Sequence, residues 1–190
     1  MAVAAMPADW RTSLRADTHR AYGRWSPLLC LRGALTSRTF RVLLTLRLTQ
    51  SRCGWLAAPL HKWTCARAGI DLPRNTAVGP GLAINHGWGL VISPGARIGK
   101  NVTLFHGVTL GRRDRIDASG ARTIEFPTIE DSVCIGPHAV IVGGITVGCG
   151  SRIAAGAFVT DSVPAHCVVQ GNPAQIVKQQ CQPDVMNPVA

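Results

Sequence analysis

Histidine is the side chain most often used to move a proton at neutral pH, since its imidazole changes charge between roughly pH 5 and 8. The chain has six: His19, His61, His86, His106, His138 and His166. His86 lies in I-N-H-G-W-G (84–89), a stretch without a charged residue. A general base at a cleft and a polar residue in a turn both fit that setting. The seven cysteines (Cys30, Cys53, Cys65, Cys134, Cys149, Cys167 and Cys181) include no C-x-x-C pair, and their number is odd. Scattered cysteines of this kind are expected to be reduced thiols in a cytosolic protein, without a metal site of their own.

The elements that must position these residues differ along the chain. Residues 9–68 are expected to form two to four short helices, divided at Gly23, Ser26-Pro27, Gly33, Gly54 and Pro59. In F-R-V-L-L-T-L-R-L (40–48), Phe40, Leu43, Leu44 and Arg47 fall at helical spacing, although alternation fits part of the run. From about residue 70 the period becomes six. Ile129, Ile135, Ile141, Val147, Ile153 and Val159 follow it without a miss. Four residues after each comes Val133, Ala139, Ile145, Ser151, Ala157 and Val163, all small or β-branched. Ile92, Ile98, Leu104 and Leu110 repeat the step upstream, as do Leu72, Val78 and Ile84. From Ile84 to Ile92 the step is eight, so a two-residue irregularity falls at His86.

Short flat strands joined by turns give a period of six, with the aliphatic and the small residue both pointing inward. Stacked coils of this kind bury one thin continuous core. That agrees with 46% hydrophobic but only 5% aromatic residues, and with 20 glycines and 12 prolines for the corners. On this frame His106 takes an outward corner position. It either lines the same cleft as His86 or is itself the base. His138 takes an equivalent position, where a surface or subunit-contact role is expected. His19, His61 and His166 lack supporting context.

The net charge of +10 is unevenly placed: residues 1–70 hold eleven Lys and Arg against only Asp9 and Asp17. One reading is a solvated or subunit-facing basic surface; the other is attraction to an anionic membrane surface or a polyanionic glycan. No nucleic-acid motif accompanies the charge, so nucleic acid is not an expected partner. No run of 18 uncharged apolar residues occurs, and no transmembrane helix is expected. The start, M-A-V-A-A-M-P-A-D-W-R, lacks a basic segment followed by an apolar run, so no signal peptide is expected. The expected location is the cytoplasm, with peripheral contact at the inner membrane face as the variant that the charge allows.

Residues 70–178 resemble the hexapeptide-repeat acyltransferases, and V-V-Q-G-N-P-A-Q-I-V (168–177) is similar to the G-x-P-A segment that closes their repeats. The order of motifs resembles the serine acetyltransferase branch. Asp71 begins the first coil in G-I-D-L-P (69–73), N-H-G-W-G (85–89) stands at the family's D-H-x-x-G element, and V-T-L-G occurs at 108–111. The resemblance implies an α+β chain: a short helical N-terminal region (1–69), then a left-handed parallel β-helix of hexapeptide repeats (70–178) with a loop at 111–128, then a tail (179–190). It implies acetyl transfer from acetyl-CoA to a hydroxyl, with His86 as general base and Asp71 as its orienter. Coenzyme A would lie along the later coils, with candidate contacts at Pro137, Ala155, Gly171 and Lys178. A homotrimer or dimer of trimers is implied, with active sites between neighbouring β-helices, and no metal.

Two departures from the family bear on the acceptor. Asn85 stands where the family has an aspartate, and Glu125-Phe126 stands before Pro127 where it has R-H. Both changes remove a complement to a zwitterion. A neutral sugar, as in exopolysaccharide (colanic-acid-type) O-acetyltransferases, is therefore the favoured acceptor, and serine, for cysteine biosynthesis, the alternative. Asn85, His106, Arg112, Glu125 and Phe126 are the candidate acceptor residues; the loop's Arg112, Arg113, Arg115 and Arg122 either bind an anion or are solvated. Two further alternatives are a γ-type carbonic anhydrase and a non-catalytic scaffold. The first needs a close histidine pair, which intervals of 20 (His86 to His106) and 32 (His106 to His138) do not predict.

Overall fold

The structure is a computed structural model, and it describes residues 9–190. The first eight residues of the expected N-terminal region lie outside the described residues. Four helices precede the strands: α1 (Trp10–Tyr22), α2 (Pro27–Thr36), α3 (Arg38–Thr49) and α4 (Gly54–Ala68). Their ends follow local chemistry. Gly23 and Gly69 close α1 and α4 at φ 75° and 66°, a backbone that glycine adopts without a Cβ penalty. Pro27 opens α2, and the Ser37 hydroxyl caps α3 by accepting from the Phe40 amide at 3.2 Å. Gly33 and Pro59 do not divide helices as expected; they lie inside α2 and α4. At Gly33 a Cβ would stand 2.6 Å from the Phe40 ring and 2.8 Å from the Tyr22 hydroxyl, so this glycine serves close packing.

From residue 70 the chain winds through triangular coils whose three faces are parallel sheets. Face 1 stacks β1 (Ile70–Asp71), β4 (Leu90–Ile92), β7 (Thr109–Gly111), β12 (Val140–Val142) and β15 (Phe158–Val159). Face 2 stacks β2 (Ala77–Val78), β5 (Arg97–Ile98), β10 (Thr128–Ile129) and β13 (Thr146–Val147). Face 3 stacks β3 (Ala83–Asn85), β6 (Thr103–Phe105), β11 (Cys134–Ile135), β14 (Arg152–Ile153) and β16 (Val168–Gln170), closed by antiparallel β17 (Gln175–Lys178). A hairpin of β8 (Arg113–Ile116) and β9 (Arg122–Glu125) projects between β7 and β10.

The six-residue repeat is the core. Ile92, Leu110, Ile141 and Val159 stack down face 1, and Val78, Ile98, Ile129 and Val147 down face 2. Ile84, Leu104, Ile135, Ile153 and Val169 stack down face 3. All are buried, as are the small residues Ala96, Val102, Val108, Val133, Ala139 and Ala157 between them. Removing one such side chain would cost about 2–5 kcal/mol, because neighbouring coils cannot collapse into the gap.

The helices are tied to the first coil by buried charge. Arg47 donates from Nε to Asp17 Oδ2 at 2.8 Å, and both side chains are fully buried. Asp17 Oδ1 also accepts from the Gly81 and Leu82 amides, while Arg47 donates to the Val78 and Gly79 carbonyls. His61 on α4 adds a link, with Nε2 2.8 Å from the Leu72 carbonyl and Nδ1 3.0 Å from Thr45 Oγ1. A carbonyl only accepts, so Nε2 carries the proton. No described helix is long and apolar enough to cross a membrane.

Candidate active site

A regular coil takes eighteen residues, as in the pairing of Ile135 with Ile153. Asn85 pairs with Phe105 and Val91 with Thr109, so two extra residues lie in the turn between them, at His86 and Gly87. Both have left-handed backbone, φ 64° at His86 and 48° at Gly87. The extra turn lifts the exposed His86 off the regular wall.

Three contacts hold this turn. Gly87 is buried, and a side chain there would run into Thr39 of α3. Arg38, the first residue of α3, donates from Nη2 to the His86 carbonyl at 3.0 Å. Its guanidinium also lies 4.5 Å from the centre of the Trp88 ring. The turn rests on the first coil through Gly89, whose amide donates to the Gly69 carbonyl at 2.9 Å, two residues before Asp71. Sequence reading missed Arg38, Thr39 and Trp88, because the helix-to-turn contact joins residues about fifty apart without a repeat to signal it.

Successive turns place three imidazoles in a column along the edge between faces 3 and 1. The His86 and His106 ring centres are 6.0 Å apart, and those of His106 and His138 are 4.9 Å apart, edge to face in both pairs. The close histidine pair therefore exists, contrary to the expectation from spacing. The interval of 32 is one coil plus the hairpin, for Leu104 pairs with Ile135, thirty-one residues on. Gly107, at φ 68°, must lack a side chain because the His138 ring lies where it would point. His106 Nδ1 is buried without a hydrogen-bond partner among the described residues. A buried polar nitrogen left alone costs about 1–3 kcal/mol. Among the described residues no group of three or more His, Cys, Asp or Glu is arranged to hold a metal ion.

The same column continues through the candidate cofactor contacts. The Gly156 amide, beside Ala155, donates to the Pro137 carbonyl at 2.8 Å, and the Phe158 amide donates to the Gly171 carbonyl at 3.0 Å. Lys178 stands apart, exposed in β17 on face 3. Asp71 is exposed on β1 and lines a groove of about 740 Å³ with Trp55, Lys62 and Arg74. Among the described residues its carboxylate makes no hydrogen bond to the His86 ring. Asn85 lines a different cavity, of about 460 Å³, between face 3 and α1 and α3.

The loop residues lie on another edge, between faces 1 and 2. The Phe126 ring covers Gly95, and Glu125 lies over Gly144 and accepts from Arg115 Nε at 3.1 Å. Arg112 and Arg122 both pair with Asp114. Three of the four loop arginines thus already have carboxylate partners. Within one chain Arg112, Glu125 and Phe126 are not brought to the His86 edge.

No family model matches the chain. The chain is 36% identical to serine acetyltransferase 4 of Arabidopsis thaliana over 80% of its own length and 41% of that protein's. It is 38% identical to serine acetyltransferase of Mycobacterium tuberculosis, over 65% of this chain and 52% of that one. The soybean serine acetyltransferase structure complexed with serine superposes with a TM-score of 0.73 at 31% identity, covering 89% of this chain and 70% of that one. The chain belongs to the serine acetyltransferase branch of the hexapeptide-repeat acyltransferases. The serine acetyltransferase of Brucella abortus in complex with coenzyme A matches with a TM-score of 0.72 at 30% identity, over 92% of this chain and 70% of that one. These matches carry the left-handed β-helix expected from the repeat. The chain spans between 32% and 55% of the length of the curated relatives it matches.

Proposed function

We propose that the chain transfers an acetyl group from acetyl-CoA to a hydroxyl, with L-serine as the favoured acceptor. The observation that carries this reading is the edge column: His86 on its own lifted turn, above a line of corner backbone at Pro137, Ala155 and Gly171. Its support is the family, with one relative named as a complex with serine and another as a complex with coenzyme A. These names favour serine over the sugar acceptor expected from the sequence.

In this mechanism His86 takes the acceptor's proton as the hydroxyl oxygen attacks the thioester carbon. Asp71 stands where the family has its orienting carboxylate. It makes no hydrogen bond to the imidazole in the free chain; in this mechanism it holds and stabilises the charged ring once the substrates are bound. Backbone amides at the edge meet the oxyanion. As the intermediate collapses, the C–S bond breaks and His86 returns the proton to the leaving thiolate. His106 backs the base, its ring edge to face with that of His86. A trimer brings the Glu125 and Phe126 edge of one chain against the His86 edge of its neighbour, which explains why one chain keeps them apart.

A sugar hydroxyl remains the second reading, carried by Asn85 and by the Glu125–Arg115 pair. The first puts an amide where a carboxylate would meet an ammonium group, and the second already pairs a loop cation with Glu125. The deciding experiment measures thiol release from acetyl-CoA with serine and with a panel of sugars. Saturable turnover with serine supports the first reading; turnover with sugars alone supports the second. Absence of acetyl-CoA binding removes both.

A further inference from the structure

Two helices turn apolar side chains outward. On α4, Trp55, Leu56, Leu60 and Trp63 are all exposed, Trp55 by 70%. Helical geometry places them on one stripe with Pro59 and Arg67, flanked by Lys62. The Arg67 guanidinium lies 5.6 Å from the Trp63 ring centre. On α2, Leu28, Leu31 and Leu35 form a second exposed stripe beside Arg32. Trp25 precedes it, with the Arg15 guanidinium 5.7 Å from its ring centre. From residue 18 to residue 70 the chain holds nine Lys and Arg and no Asp or Glu.

A merely solvated helix surface would carry polar residues where these leucines and tryptophans stand. A second copy of the chain is the poorer occupant, since two such faces would oppose like charges with no carboxylate on either helix to pair them. An anionic bilayer answers both features. Indole rings and leucines enter the headgroup boundary, and the basic side chains meet lipid phosphates.

We propose that the outward faces of α4 and α2 seat the protein on an anionic lipid surface. Trp55, Pro59 and Lys62 also line the Asp71 groove, so the lipid would lie at the mouth of that groove.

The test is co-sedimentation of the full chain with vesicles of phosphatidylcholine mixed with phosphatidylglycerol, against phosphatidylcholine alone. Partition should be about tenfold higher onto the anionic vesicles and should fall as salt rises. Trp55→Ser/Trp63→Ser and Leu28→Ser/Leu35→Ser should each lower it about tenfold, with unchanged circular dichroism and unchanged size by light scattering. Equal partition onto both vesicle types, or wild-type partition in either variant, would overturn the proposal. So would variants that change the oligomeric size instead, which would assign the face to a second copy.

Discussion

Arg38 holds the turn of His86: its guanidinium donates to the His86 carbonyl at 3.0 Å while stacking 4.5 Å from the Trp88 ring. The helical region thereby sets the backbone that carries the proposed base. A charged hydrogen bond is worth about 1.5–3 kcal/mol. Arg38→Ala should therefore lower kcat about tenfold or more while changing the KM for acetyl-CoA less. Arg38→Lys should recover little, because a point charge cannot both donate and stack as a planar fork does. Steady-state kinetics with both substrates check this.

The buried Asp17–Arg47 pair joins helices to coils. Arg47→Met would leave the Asp17 carboxylate buried without its cation, at a cost of about 3–5 kcal/mol in urea unfolding. The double change Asp17→Leu/Arg47→Met should recover part of that loss, because no lone charge remains.

Gly107→Ala should destabilise the chain by about 1–2 kcal/mol from its left-handed backbone alone. It should also displace the His138 ring, separating it from His106. The denaturation midpoint and ring contacts between the two histidines by NMR report the two effects separately.

Burial pushes the His61 pKa below its ordinary value of 6.5. The unfolded chain then binds the proton more readily than the folded one. Its contribution to stability is present above about pH 6.5 and is lost as pH falls towards the lower folded value. The slope is at most about 1.4 kcal/mol per pH unit for one proton. Unfolding free energy measured from pH 8 down to pH 5 should decline in the native protein and decline less in His61→Gln.

Much of this architecture is legible in the sequence, for a physical reason. Each face of a coil presents the same inward positions every six residues, so Ile129 through Val159 repeat at six, and the structure stacks them. The step of eight after Ile84 located the irregular turn of His86 because any insertion breaks that count. Insertions also concealed what spacing could have revealed: the hairpin separates His106 from His138 in sequence but not in space. Gly33 read as a breaker because its packing partners, Phe40 and Tyr22, are known only from the fold. The Arg38 contact left no trace in periodicity, since it is a single interaction between unlike elements. Asn85, Glu125 and Phe126 were recognisable as departures, but their separation on different edges depends on winding that no local pattern carries.

The most direct measurement is the turnover of acetyl-CoA by His86→Ala, followed as thiol release with serine and with sugar acceptors. With His86 as the base, kcat falls by about 10²–10⁴-fold while circular dichroism and coenzyme A binding stay as in the native chain. A near-native rate in His86→Ala, or an equal loss that appears only in His106→Ala, would contradict that assignment.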